Sequence, residues 1–140
     1  MKPAMYLFVN KGLGMSTGKT AAQVAHAAVE AFRISKPNIT EEWYKGGHYA
    51  KYVMECRDRE HLLDTERYLN ERGFNTVLII DEGHTELDPI TPTALGVEIV
   101  DKLDEHTKAS FDSFRSYKDP KPEVKRTALR RYLDWLAGSK

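Results

Sequence analysis

One cysteine, Cys56, in 140 residues excludes an internal disulfide framework and points to a reducing compartment, the cytoplasm. No apolar run approaches the roughly 18 residues that a membrane helix needs. The amino-terminal MKPAMYLFVNKG has too short an apolar core for a signal peptide, so neither a membrane nor export is expected. Charge of one sign is not in excess either: 21 Lys and Arg stand against 21 Asp and Glu, which argues against a protein that grips a polyanion over its whole surface. His48, His61, His84 and His106 make no HExxH or other tight ligand spacing, and no GxSxG elbow holds a serine nucleophile. No metal and no cofactor are expected. Gly18-Lys19-Thr20 resembles the end of a phosphate-binding loop, but the first glycine that such a loop requires is replaced by Leu13.

What is present reads as one α/β domain with a real core. Residues 4 to 10 form an apolar strand run. A glycine-broken loop, 11 to 18, then feeds an alanine-rich helix from Ser16 or Thr17, either one a fitting N-cap, to about Ser35. The small residues Ala21, Ala22, Ala25, Ala28 and Val29 are expected to face a sheet. A short helix around Trp43, capped by Asn38 or Thr40, precedes a second strand over His48 to Cys56. Asp58 caps a third helix, residues 75 to 80 make a third strand, and residues 81 to 93 read as a polar loop with two prolines. A fourth strand over Ala94 to Val100 leads to a helix carrying Phe111. A last helix is expected to set Val124, Leu129, Tyr132, Leu133 and Leu136 on an apolar stripe. Trp43 and Trp135 read as packing residues, and Cys56, within a strand, as an inert core thiol.

The chemistry concentrates in two stretches. Lys19, Gln23, His26 and Glu30 follow i, i+4, i+7 and i+11, one polar stripe on the first helix, whose amino-terminal N–H groups and dipole suit an anion or a developing oxyanion. Asp81 ends an apolar strand, and sites in α/β sheets form at the carboxyl ends of strands. Lys19 and Asp81 are therefore expected near each other. Charge is also uneven: seven basic residues crowd positions 115 to 131, and eight acids crowd 81 to 105.

The run GMSTGKTAAQVAHAAVEAF and the run DEGHTELDPITPTALGV together resemble the type 2 peptidyl-tRNA hydrolase family. Lys19, Ala21, Ala22, Gln23, His26 and Ala27 match its helix pattern. Asp81, Gly83, Thr85, Pro89, Thr91, Thr93, Leu95 and Gly96 match its second pattern, and the match runs from residue 5 to about 102. Departures include Asn10, Lys11, Gly12, Gly14 and Thr17 in the first loop, and Ile90 where a glycine is common. The resemblance implies a three-layer α/β/α fold around a four-stranded mixed sheet in residues 1–116, with 117–140 a carboxyl-terminal helical extension packed on or near it. It also implies a homodimer, and hydrolysis of the ester joining a peptide to the 3′ end of tRNA.

Under that implication Asp81 is the general base, or orients a water network that serves as one. Lys19 with Gln23 is the donor set for the oxyanion or the terminal phosphate. Thr91 or Thr93 orients water or the ribose hydroxyl, with Thr93 placed in the catalytic set, and His26 is a positioning residue. Thr85, Asn10 and Lys11 complete the contacts to peptidyl-tRNA. Two other readings share these residues: a noncatalytic member that binds RNA or a protein partner, and a hydrolase of a different ester.

Overall fold

The computed structural model describes residues 1–81, 90–118 and 122–138. Four strands, β1 (Met5–Asn10), β2 (Lys51–Cys56), β3 (Thr76–Asp81) and β4 (Thr91–Val97), form one sheet in the order β2-β1-β4-β3. β1 and β2 are parallel, whereas β4 runs antiparallel to both of its neighbours. The sheet is therefore mixed, and β1, β2 and β3 all end on the edge where β4 begins. Asn10, Cys56, Asp81 and Thr91 reach that one edge by topology alone.

The two sides of each central strand bury different clusters, as a period of two demands. Met5 and Leu7 of β1, Ile79 of β3 and Ala94 of β4 meet α1 (Thr17–Ile34) and α2 (Pro37–Lys45) through Ala27, Ala31 and Trp43. Phe8 and Leu95 point the other way, against Leu62 and Leu69 of α3 (Arg59–Glu71) and Phe111 of α4 (Glu105–Ser113). The three-layer α/β/α arrangement follows. A fifth helix, α5 (Pro122–Gly138), comes after it in the chain.

Several expectations are revised. α1 meets the sheet through Thr20, Gln23, Ala27 and Ala31, and leaves Ala21, Ala22, Ala25 and Val29 exposed. The reason is Gly96: a Cβ there would stand 2.5 Å from the Ala27 carbonyl oxygen, so the close approach is made along the Gln23-Ala27-Ala31 line. Of the two proposed caps for this helix, Ser16 is the one used, its hydroxyl accepting from the Lys19 N–H. Neither Asn38 nor Thr40 caps α2, which begins on Pro37 with Lys36 at the N-cap position. β2 starts at Lys51 because His48 and Tyr49 both take positive φ and turn the chain. Trp43 is buried, whereas Trp135 is 65% exposed, and Tyr132, Leu133 and Leu136 beside it are exposed as well.

The outer edge of β2 is covered. Arg115 to Tyr117 run antiparallel along it, with Glu55 N–H donating to the Arg115 carbonyl at 2.9 Å and Tyr117 N–H donating to that of Val53 at 2.8 Å. Such pairing blunts an edge that would otherwise offer its backbone to another chain.

Candidate active site

Thr91 and Thr93 are not loop residues; they open β4. Pro92, between them, sits beside a register shift at Ile79/Ile80, where a strand tolerates a residue without an N–H. The alternation sends the Thr93 hydroxyl inward, fully buried, where it donates to Gln23 Oε1 at 2.6 Å and lies 3.3 Å from the Ile79 carbonyl. With its carbonyl engaged, Gln23 has its NH₂ group left as donor.

One helical turn earlier, Lys19 Nζ donates to Asp81 Oδ1 at 2.8 Å. Their side chains are 9% and 6% exposed, so this is a nearly dry ion pair at the carboxyl end of β3. Removing one partner of such a pair leaves a buried charge uncompensated, which typically costs about 3–5 kcal/mol. The pair opens on a cleft of about 730 Å³, lined by Lys19, Gln23, His26, Ile79, Ile80 and Asp81. His26 is exposed on its rim, and Thr91 stands opposite Asp81 in the ladder.

The remaining predicted residues divide. Asn10 is buried at the end of β1, where its Nδ2 donates to the Pro92 carbonyl at 3.1 Å, so it fixes the start of β4 rather than facing open solvent. Lys11 lies elsewhere: its ammonium donates to Glu55 Oε2 at 2.8 Å and lines a separate cavity at the end of β2. Thr85 lies outside the described residues, as do Gly83 and Pro89. Thr20, which sequence reasoning passed over, is buried with no hydrogen-bond partner for Oγ1 among the described residues, as is Asn10 Oδ1. Its signal was available, since Thr20 precedes Gln23 by three and shares its face. Among the described residues, no group of three or more His, Cys, Asp or Glu side chains could hold a metal. Cys56 is buried, with its thiol beside the Thr65 hydroxyl, and burial pushes its pKa up to about 11.

The site therefore assembles a carboxylate paired with an ammonium, a fixed amide donor and the start of a strand at one sheet edge. That set suits removal of a proton from water beside a carbonyl whose oxygen gains charge.

Comparison with known proteins agrees. The family model described as Peptidyl-tRNA hydrolase PTH2 matches residues 3–110. The chain is 42% identical over 93 residues to the peptidyl-tRNA hydrolase of Methanopyrus kandleri, covering 65% of this chain and 79% of that protein. It is 34% identical over 112 residues to that of Methanocaldococcus jannaschii, covering 74% and 96%. Against that of Thermoplasma acidophilum it is 38% identical over 112 residues, covering 76% and 95%.

Proposed function

Given that the chain belongs to the type 2 peptidyl-tRNA hydrolase family and hydrolyses the ester between a peptide and tRNA, we propose that Lys19 and Asp81 are its catalytic pair. The observation that carries this is their 2.8 Å contact at the mouth of the cleft. The Lys19 ammonium holds the Asp81 carboxylate at the cleft, where it takes a proton from water. As that proton leaves, the water oxygen bonds to the ester carbonyl carbon and the carbonyl oxygen becomes an oxyanion. Lys19 has three N–H donors, of which one is engaged by Asp81, and with the Gln23 amide it stabilises that oxyanion. Collapse breaks the bond to the ribose oxygen, and Asp81 returns its proton to that leaving group.

Thr93 is then a positioning residue acting through Gln23, and Asn10 acts through Pro92 in the same way. Thr91, half-buried and opposite Asp81 in the ladder, orients water or the ribose hydroxyl. His26, on the rim, and Thr85 serve the acceptor end of the substrate.

Turnover of labelled peptidyl-tRNA tests the assignment. Asp81→Asn is expected to lower kcat by roughly 10²- to 10⁴-fold, and Lys19→Met by roughly 10²- to 10³-fold, with far-UV circular dichroism unchanged. A kcat within a few-fold of wild type in either variant would remove that residue from the chemistry.

Among the described residues no helix is long and apolar enough to cross a membrane. We place the protein in the cytoplasm, where its substrate is made. We also propose a homodimer, supported by a groove of about 720 Å³ between α1 and β2 that is lined mainly by apolar side chains, including Leu7, Val24, Ala25, Ala28 and Val53. Sedimentation equilibrium should give twice the chain mass for wild type and the single mass for Ala25→Glu. A monomeric wild type would end this part of the proposal.

A further inference from the structure

A second polar cavity, of about 370 Å³, opens at the carboxyl end of β2, on the same sheet edge as the catalytic cleft. Lys11, Arg57, His61 and Arg115 line it, together with Glu55. Three permanent cations face one carboxylate, and that carboxylate is already held by Lys11 at 2.8 Å. Arg57 and Arg115 are exposed residues, and neither is engaged in an ion pair among the described residues. With the Asp58 carboxylate nearby as the cap of α3, the cavity keeps a net positive charge and two arginines outside any ion pair among the described residues.

Its walls are built, not incidental. Arg115 arrives because the chain after α4 pairs with β2 through its backbone, the Arg115 carbonyl accepting from Glu55 N–H. His61 is fixed twice: its Nδ1 accepts from the Arg57 N–H at 3.1 Å, and its ring stacks on Phe114 at 5.4 Å with planes 7° apart. An Nδ1 that accepts leaves Nε2 as the ring's N–H donor. α3 begins at Arg59, between two lining residues, with its first turn capped by the Asp58 carboxylate, which accepts from the His61 N–H at 2.9 Å. Planar guanidinium groups with free forks are the side chains best matched to phosphate oxygens.

The catalytic Asp81 and the cavity lie at the ends of β3 and β2, three strand spacings apart, or about 14 Å. A few nucleotides of an acceptor strand bridge that gap. We propose that this cavity binds a phosphate of the tRNA acceptor strand, with Arg57 and Arg115 as its two principal contacts. Arg115 lies beyond residues 3–110, the span matched by the family model, so half of this site comes from the chain's own carboxyl-terminal segment. The inference rests on the catalytic cleft being where the ester end sits, and it supplies the grip on the rest of the strand. It also explains how a chain with no net charge holds a polyanion: the charge is local.

The test measures binding of deacylated tRNA by fluorescence anisotropy across a salt series, for wild type, Arg57→Ala, Arg115→Ala and the double variant. Each truncation should raise Kd about threefold or more at moderate salt, and should make the slope of log K against log salt shallower by about one unit. Arg115→Lys should retain most of the slope, since the charge is kept. KM for peptidyl-tRNA should rise with kcat unchanged, while hydrolysis of a minimal N-acetyl-aminoacyl adenosine ester should not change at all. A double variant with wild-type salt slope and wild-type KM overturns the proposal. Failure of the catalytic assignment reads out separately, as a minimal ester whose hydrolysis ignores Asp81→Asn. Repeating the binding with tRNA stripped of its 5′ phosphate separates the sources: loss of the arginine effect identifies the terminal phosphate, and its persistence an internal phosphodiester.

Discussion

Thr93 carries two jobs on one hydroxyl, as a buried donor to Gln23 and as the reason Gln23 presents its NH₂ group to the cleft. Thr93→Val keeps the shape of the side chain and deletes the donor, which strands the Gln23 carbonyl. The expected cost is about 1–3 kcal/mol in urea unfolding, together with a lower kcat as the Gln23 amide loses its orientation. Equal stability and equal kcat in Thr93→Val would mean that the hydrogen bond neither holds nor aims anything. At this scale the sequence was informative where residues act through charge at strand and helix ends: Lys19 and Asp81 follow from the stripe and from the end of an apolar strand. It was less informative for Thr93, because Pro89 and Pro92 just ahead of it read as loop. Only the register shift at Ile79/Ile80 shows why β4 accommodates Pro92. Ile90, where a glycine is common in the family, takes φ 59°, a region that suits glycine and strains a β-branched side chain.

Between elements, the decisive contact is α1 on β4. Five small residues on α1 suggested the sheet-facing side, yet the helix sits on the adjacent line, which carries Gln23. Small side chains permit close approach on either face; what chooses between them is the partner, and Gly96 is legible as such only once β4 is known to lie beneath Ala27. Gly96→Ala tests that contact. The new methyl would meet the Ala27 carbonyl at 2.5 Å and the Ala31 Cβ at 3.4 Å, and both belong to a helix that has no slack against the sheet. Overpacking of this kind costs about 1–3 kcal/mol. The gain from a stiffer unfolded chain, roughly 0.4–1 kcal/mol, is smaller, so the variant should be less stable. Because α1 carries Lys19 and Gln23, kcat should fall with it. A variant as stable and as active as wild type would show that α1 can lift without consequence.

For the molecule as a whole, the question is where the folded unit ends. The family resemblance implied a boundary at 116/117, ahead of an extension packed on or near the domain. We propose that the folded unit runs to about residue 118, because Tyr117 N–H bonds to β2 while residues 130–138 are exposed throughout. Periodicity marks an apolar stripe on a helix, but it is blind to whether anything covers that stripe, which is why Tyr132, Leu133 and Leu136 read as packing positions. Two truncations separate the possibilities. Ending the chain after residue 118 removes α5 alone and should shift the unfolding free energy by no more than about 0.5 kcal/mol. Ending it after Ser113 also removes the pairing along β2 and Phe114, whose ring packs edge-on against Phe8 at 4.8 Å. Full burial of a phenylalanine is worth about 1.5–3 kcal/mol and each backbone hydrogen bond about 0.5–1.5, so with Phe114 partly buried this shorter chain should lose about 2 kcal/mol or more and expose the β2 edge to aggregation. Equal losses in the two truncations would mean that α5 itself stabilises the domain, and would move the boundary to the end of that helix.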